Sequence, residues 1–174
     1  ASTIKEQCEE SDKAELQKIV DNFLEDIQVL NLSLNQRLES IEKIIQRKKE
    51  YEQDSEGLLN WIREIEAVMS TNVKTSSIQI LEEQMRKYEG ILKEAEKKGY
   101  VLNAVEEKAE SLMDHLSEVD RLNLSCQVKN LSDKYNLLVL KLKERFNGIA
   151  ENIKQLKSSQ KQISEYTQFI LSIQ

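Results

Sequence analysis

A run of 174 residues without a single proline sets the tightest limit on what this chain can become. Proline removes a backbone donor and costs about 3 kcal/mol inside a helix, so its absence leaves very long helices open. Only 4 glycines occur. Charged residues make up 32% and aromatics 5%, which suits amphipathic helices around a thin core and fits a β-rich or α/β domain poorly.

The net charge is -6, with both signs interspersed and no Lys/Arg-only block, so composition gives no footing for nucleic acid. No apolar run approaches the ~20 residues that cross a bilayer, and no signal-peptide apolar region opens the chain. Cys8 and Cys126 are far apart and lack metal-ligand spacing, which points to a reducing, intracellular setting. The sequons at Asn31, Asn123 and Asn130 read as chance matches.

Spacing then places the helices. Ile78, Leu81, Met85, Tyr88, Leu92, Ala95, Gly99, Leu102, Glu106, Ala109, Met113 and Leu116 fall at alternating steps of three and four. That is a heptad seam with lapses at Gly99 and Glu106. Leu58, Trp61, Ile62, Ile65, Val68 and Met69 form a wider stripe, as expected where a helix touches two partners. Val128, Leu131, Tyr135, Leu138, Leu142 and Ile149 form a third. The stretch 70–77 is rich in Ser, Thr and Asn and reads as a loop ending in an N-cap; 117–123 is a weaker break. The reading is three long helices at about 12–70, 77–117 and 123–174. At ~1.5 Å per residue the first would span roughly 90 Å and the second about 60 Å, a mismatch that a simple bundle does not need.

An internal repeat explains the mismatch. Set 108 residues apart, 1–66 and 109–174 align without a gap and share 15 identities in 66 positions. Pairs such as Leu16/Leu124, Leu30/Leu138, Leu34/Leu142, Arg37/Arg145, Ile41/Ile149 and Ile65/Ile173 keep their apolar phase throughout. The expected division is 1–40 as the end of a preceding unit, 41–153 as a complete one and 154–174 as the first helix of the next. A shared helix would join each unit to its neighbour.

The motif Leu58-Leu59-Asn60-Trp61-Ile62-Arg63-Glu64-Ile65-Glu66 resembles the first-helix signature of the spectrin-repeat superfamily. Leu131-Ser132-Asp133-Lys134-Tyr135-Asn136-Leu137-Leu138, continued by Leu142, Arg145 and Ile149, resembles its third helix, with Tyr135 where tryptophan is common. The neighbouring copies depart from the pattern: Phe169 stands for the tryptophan, Thr167 for a leucine, and Ile27 fills the third-helix aromatic position. The resemblance implies an all-α, left-handed three-helix bundle whose helices continue into neighbouring repeats. Within the superfamily the chain looks most like rod segments of giant linkers such as nesprins, plakins or dystrophin relatives. Nesprin is preferred on its low aromatic content and many Ile, Ser, Asn and Gln.

Residues expected in the structural core are Leu58, Trp61, Ile62, Ile65, Leu81, Tyr88, Leu92, Leu102, Leu131, Tyr135, Leu138 and Leu142. No catalytic, cofactor-binding or metal site is expected. His115 is the single histidine, and no glycine-rich phosphate loop occurs. Cys126, near the start of the third helix, reads as small-residue filler, and Cys8 as a seam residue left open. The basic runs at 46–50 and 86–98 are interleaved with glutamate and read as solvated faces.

The function implied is a structural spacer and protein-docking segment of a rod that links the cytoskeleton to a membrane, nuclear envelope or junction. It would be cytoplasmic and cytoskeleton-associated, with the outer nuclear envelope as one location and actin association as a family trait. The alternative is a dedicated module recruiting a partner protein to a signalling scaffold. Expected partners are neighbouring repeats in the same chain and protein partners, or a second copy through exposed terminal helices. Nucleic acid, a cofactor and a membrane span are not expected.

Overall fold

The computed structural model describes the backbone of residues 2–71 and 77–173, and side chains from Glu9 onward within those ranges. Helix α1 runs Ser2–Ser70, α2 Ile78–Met113 and α3 Glu118–Ile173. No strand occurs among the described residues.

The starts of α2 and α3 each have a local cause. Ser77 caps α2, its hydroxyl accepting from the Ile80 N–H at 3.3 Å. This satisfies one of the donors that a helix start leaves open. Ser117 does the same for α3, accepting from the Asp120 N–H at 3.2 Å while donating to the Asp120 carboxylate at 2.6 Å. That cap corrects the second expected break. The turn occupies 114–117 rather than 117–123, because Ser117 supplies the start signal and Glu118 and Asp120 then sit in the positive first turn. Helix α1 also begins at Ser2 rather than near residue 12. Good helix formers such as Lys13, Ala14, Glu15, Leu16 and Gln17 carry the helix through, with no glycine or proline to stop it. The expected loop at 70–77 agrees at its two ends, and 72–76 lies outside the described residues.

Two units divide the chain, Ala1–Gln46 and Arg47–Gln174. In the first unit every described side chain from Glu9 to Lys43 is exposed. The second unit holds every buried side chain among the described residues, between Tyr51 and Ile153. Its core takes Tyr51, Leu58, Trp61, Ile62 and Ile65 from α1, eight residues from α2, and Leu124, Leu131, Leu138, Leu142, Ile149 and Ile153 from α3. Cross-helix bonds give the directions. Ala95 meets Tyr135 and, nearer the start of α2, Glu82 meets Lys157, so α2 runs antiparallel to α3. Trp61 meets Tyr135, and Thr71 meets Arg145, each pair 74 positions apart, so α1 and α3 run parallel here.

Burial corrects the seam expected for α2. The row Leu81, Tyr88, Ala95, Leu102 and Ala109 is buried, as is a second row holding Ile91, Val105 and Leu112. The flank expected beside that central row, namely Met85, Leu92, Gly99, Glu106 and Met113, is half-buried instead. The deeper seam therefore adds Ile91, Val105 and Leu112 to the central row, while Gln84 and Lys98 on the same flank are half-buried. Helix α2 packs against two neighbours, so three positions per heptad lose solvent, and the flank one residue earlier goes deeper.

Candidate functional site

Among the described residues, what this unit offers chemically is its packed core and the polar bonds that cross it. Leu58, Ile62, Leu81, Val105, Leu138 and Leu142 are fully buried, each worth about 1.5–3 kcal/mol relative to exposure. Trp61, Ile65, Tyr88, Leu102 and Leu131 are buried as well. Two residues expected in the core differ. Leu92 is half-buried, since Ile91 takes the deep place beside it. Tyr135 is half-buried, with its phenol bonded to a backbone oxygen.

Tyr135 touches all three helices. Rooted on α3, its ring lies 6.4 Å from the Trp61 ring of α1 at a 37° tilt. Its hydroxyl donates to the Ala95 carbonyl of α2 at 2.7 Å. Burial, and then the Glu96 carboxylate, hold its pKa above the ordinary tyrosine value. Trp61 is present for its volume. Its Nε1 is buried without an acceptor among the described residues, which costs about 1–3 kcal/mol that the packing of the ring offsets.

Three ionic or charged bonds tie the helices at other levels, and sequence reading missed them all. Lys108 Nζ lies 2.7 Å from Asp54 Oδ2 and 3.8 Å from Glu50 Oε2, joining α2 to α1. Asp54 and its neighbours hold the Lys108 pKa above the usual lysine value. Lys157 reaches Glu82 at 2.7 Å, joining α3 to the start of α2, and holds that carboxyl below the usual range. Arg145 Nη2 donates to the Thr71 carbonyl at 3.1 Å. The signal for such pairs is weak in a sequence, because each partner lies 54 or more positions from the other. The basic runs do show the expected i,i+4 pairing, with Lys48–Glu52 at 3.8 Å and Lys93–Glu89 at 2.8 Å.

Among the described residues no group of three His, Cys, Asp or Glu side chains could hold a metal ion. His115 lies exposed in the turn after α2, and Cys126 is free and exposed on α3 rather than acting as filler. The Cys8 side chain lies outside the described residues. No helix among them is long and apolar enough to cross a membrane.

The spectrin-repeat family model matches residues 46–147, the stretch that builds the bundle. The chain is also similar to Muscle-specific protein 300 kDa of Drosophila melanogaster, 32% identical over all 174 residues. It spans 1% of that relative's length. No solved structure matches. A three-helix bundle with capped turns, matched by the family over more than half its length, places this chain in the spectrin-repeat family.

Proposed function

We propose that this chain is a spacer and protein-docking segment of a spectrin-repeat rod, in which 41–153 is one complete repeat and both flanks belong to its neighbours. One observation carries the reading. Six buried residues of α3 and three of α1 each have an exposed apolar counterpart 108 residues away, outside the bundle. Leu16, Phe23, Leu30, Leu34, Ile41 and Ile45 are exposed, and Leu124, Leu131, Leu138, Leu142, Ile149 and Ile153 are buried. Likewise Phe169, Ile170 and Ile173 are exposed while Trp61, Ile62 and Ile65 are buried. Faces so matched call for the same kind of cover, which neighbouring repeats of the same chain would supply. Where those are absent a second copy would cover them, and light scattering that gives a strict monomer with ordered ends would count against it.

In such a rod, side-chain packing along the seams and the helix backbone bonds carry tension. The rod would link the cytoskeleton to a membrane, junction or nuclear envelope, a reading supported by the family and by similarity to a much longer protein. Pulling single molecules from their ends should give one cooperative unfolding event from the bundle, and a featureless extension would overturn the reading. The other reading, a module that recruits a partner to a scaffold, has less to draw on. Between Tyr51 and Ile153 the large apolar side chains left open, among the described residues, are Tyr100, Val119, Leu122, Leu137 and Leu140. They form no continuous stripe, and apolar residues scattered this way are ordinary on a protein surface.

A further inference from the structure

A heptad seam is nearly blind to its own register. Sliding one helix past another by seven residues, ~10 Å at 1.5 Å per residue, sets apolar rows on apolar rows again. Something other than hydrophobicity must select one setting, and polar or size-specific contacts at single seam positions are the best-attested means. In this bundle such a contact sits where α3 crosses the middle of α2. The Tyr135 hydroxyl bonds the Ala95 carbonyl, and directly beneath it lies Gly99. A Cβ built on Gly99 would stand 2.9 Å from the Tyr135 Oη and 3.7 Å from its Cζ. The first distance is too close for a methyl group, whereas the second is ordinary contact. An alanine here would therefore oblige the phenol oxygen, at the tip of the Tyr135 side chain and held by its bond to Ala95, to shift, whereas the ring has room. Gly57, Gly90 and Gly148 have nothing within 4 Å of a built Cβ, so no other glycine plays this part.

We propose that the Tyr135 hydroxyl and the missing side chain of Gly99 form a register key, which holds α3 to α2 at one heptad setting and resists sliding when the segment is pulled. Ala95 and Gly99 are four positions apart, about one turn of α2. One heptad towards its N-terminus the corresponding pair is Tyr88 and Leu92, and one heptad towards its C-terminus it is Leu102 and Glu106. Both place a large side chain where the phenol oxygen needs open space. The carbonyl acceptor and the notch coincide at one setting alone, so a slipped bundle loses the bond and gains a clash. The key deepens the mechanical reading above and rests on it for the claim about load.

The test is a double-mutant cycle in the 174-residue chain, read by chemical denaturation, with Gly99→Ala, Tyr135→Phe and the pair together. In the wild-type background Gly99→Ala should lower the folding constant roughly tenfold, as overpacking does. In the Tyr135→Phe background, with no oxygen to meet, the same change should raise it about fourfold through helix propensity. Should Gly99→Ala alone fail to fold, recovery of folding in the pair counts as the same reversal. An effect of Gly99→Ala that is equal in both backgrounds overturns the key. Under an optical trap, Tyr135→Phe should yield at lower force than wild type and show steps of about one heptad. Equal rupture forces overturn its role under load. If wild type itself extends without a cooperative event, the spacer reading fails, while the solution cycle still decides whether the key exists.

Discussion

Leu138 and Leu30 hold matching places in two stretches of one sequence pattern, yet Leu138 is 1% exposed and Leu30 60%. The same contrast runs along 124–153 and 16–45. Both stretches are helical, amphipathic and free of proline, and both carry apolar side chains at steps of three and four. An apolar stripe thus specifies a need for cover without supplying it. In 124–153 the cover comes from α1 and α2. In 16–45 the helix stands on backbone bonds and propensity, and helices in water draw most of their stability from packing one face.

Three measurements would break or sharpen that contrast. The largest effect should appear in amide hydrogen exchange. Amides of 124–150 should be protected up to the global unfolding free energy, on the order of 5–15 kcal/mol, whereas those of 16–42 should show little protection. Equal protection in the two stretches would mean that cover does not decide stability here. Next come matched truncations. Trp61→Ala should cost about 3–5 kcal/mol, and Leu142→Ala about 2–5 kcal/mol. Their counterparts Phe169→Ala and Leu34→Ala should each stay within about 0.5 kcal/mol, as exposed substitutions do. Denaturation curves in which the counterparts cost as much would show that 16–45 and 169 are packed in solution.

The smallest effect is a pH dependence confined to the covered region. The Tyr135 phenol must keep its proton to donate to Ala95, and burial raises its pKa above the ordinary 10.0. A folded-state pKa above the unfolded one contributes stability that is complete below the unfolded value and is lost as pH rises through the folded one. Wild type should therefore lose stability above about pH 10, and Tyr135→Phe should lose less of it. Tyr51, also raised mainly by burial, leaves a remainder in both. Identical alkaline profiles would remove Tyr135 from the account.

Much of the architecture was legible before any coordinates. The absence of proline, the polar stretch ending at Ser77 and the stripe from Leu58 to Ile65 are local properties, and a helix responds to them locally. The boundary errors were local too. Ser117 and Asp120 stand three apart and spell a cap, so the start of α3 could have been read about five residues earlier.

The sequence by itself determined that the chain is helical, where its turns fall and which central row of α2 faces inward, since periodicity belongs to one helix alone. It could not choose between the flanks of that row. Gln84, Ile91, Lys98, Val105 and Leu112 carry three apolar residues, and so do Met85, Leu92, Gly99, Glu106 and Met113. Only the tertiary structure decided that Ile91, Val105 and Leu112 of the first flank go deep, that Gly99 is room for a phenol oxygen, and that Lys108 answers Asp54. Depth depends on where the neighbouring helices cross, and that crossing joins residues 40 to 75 positions apart, a distance over which no local pattern reports.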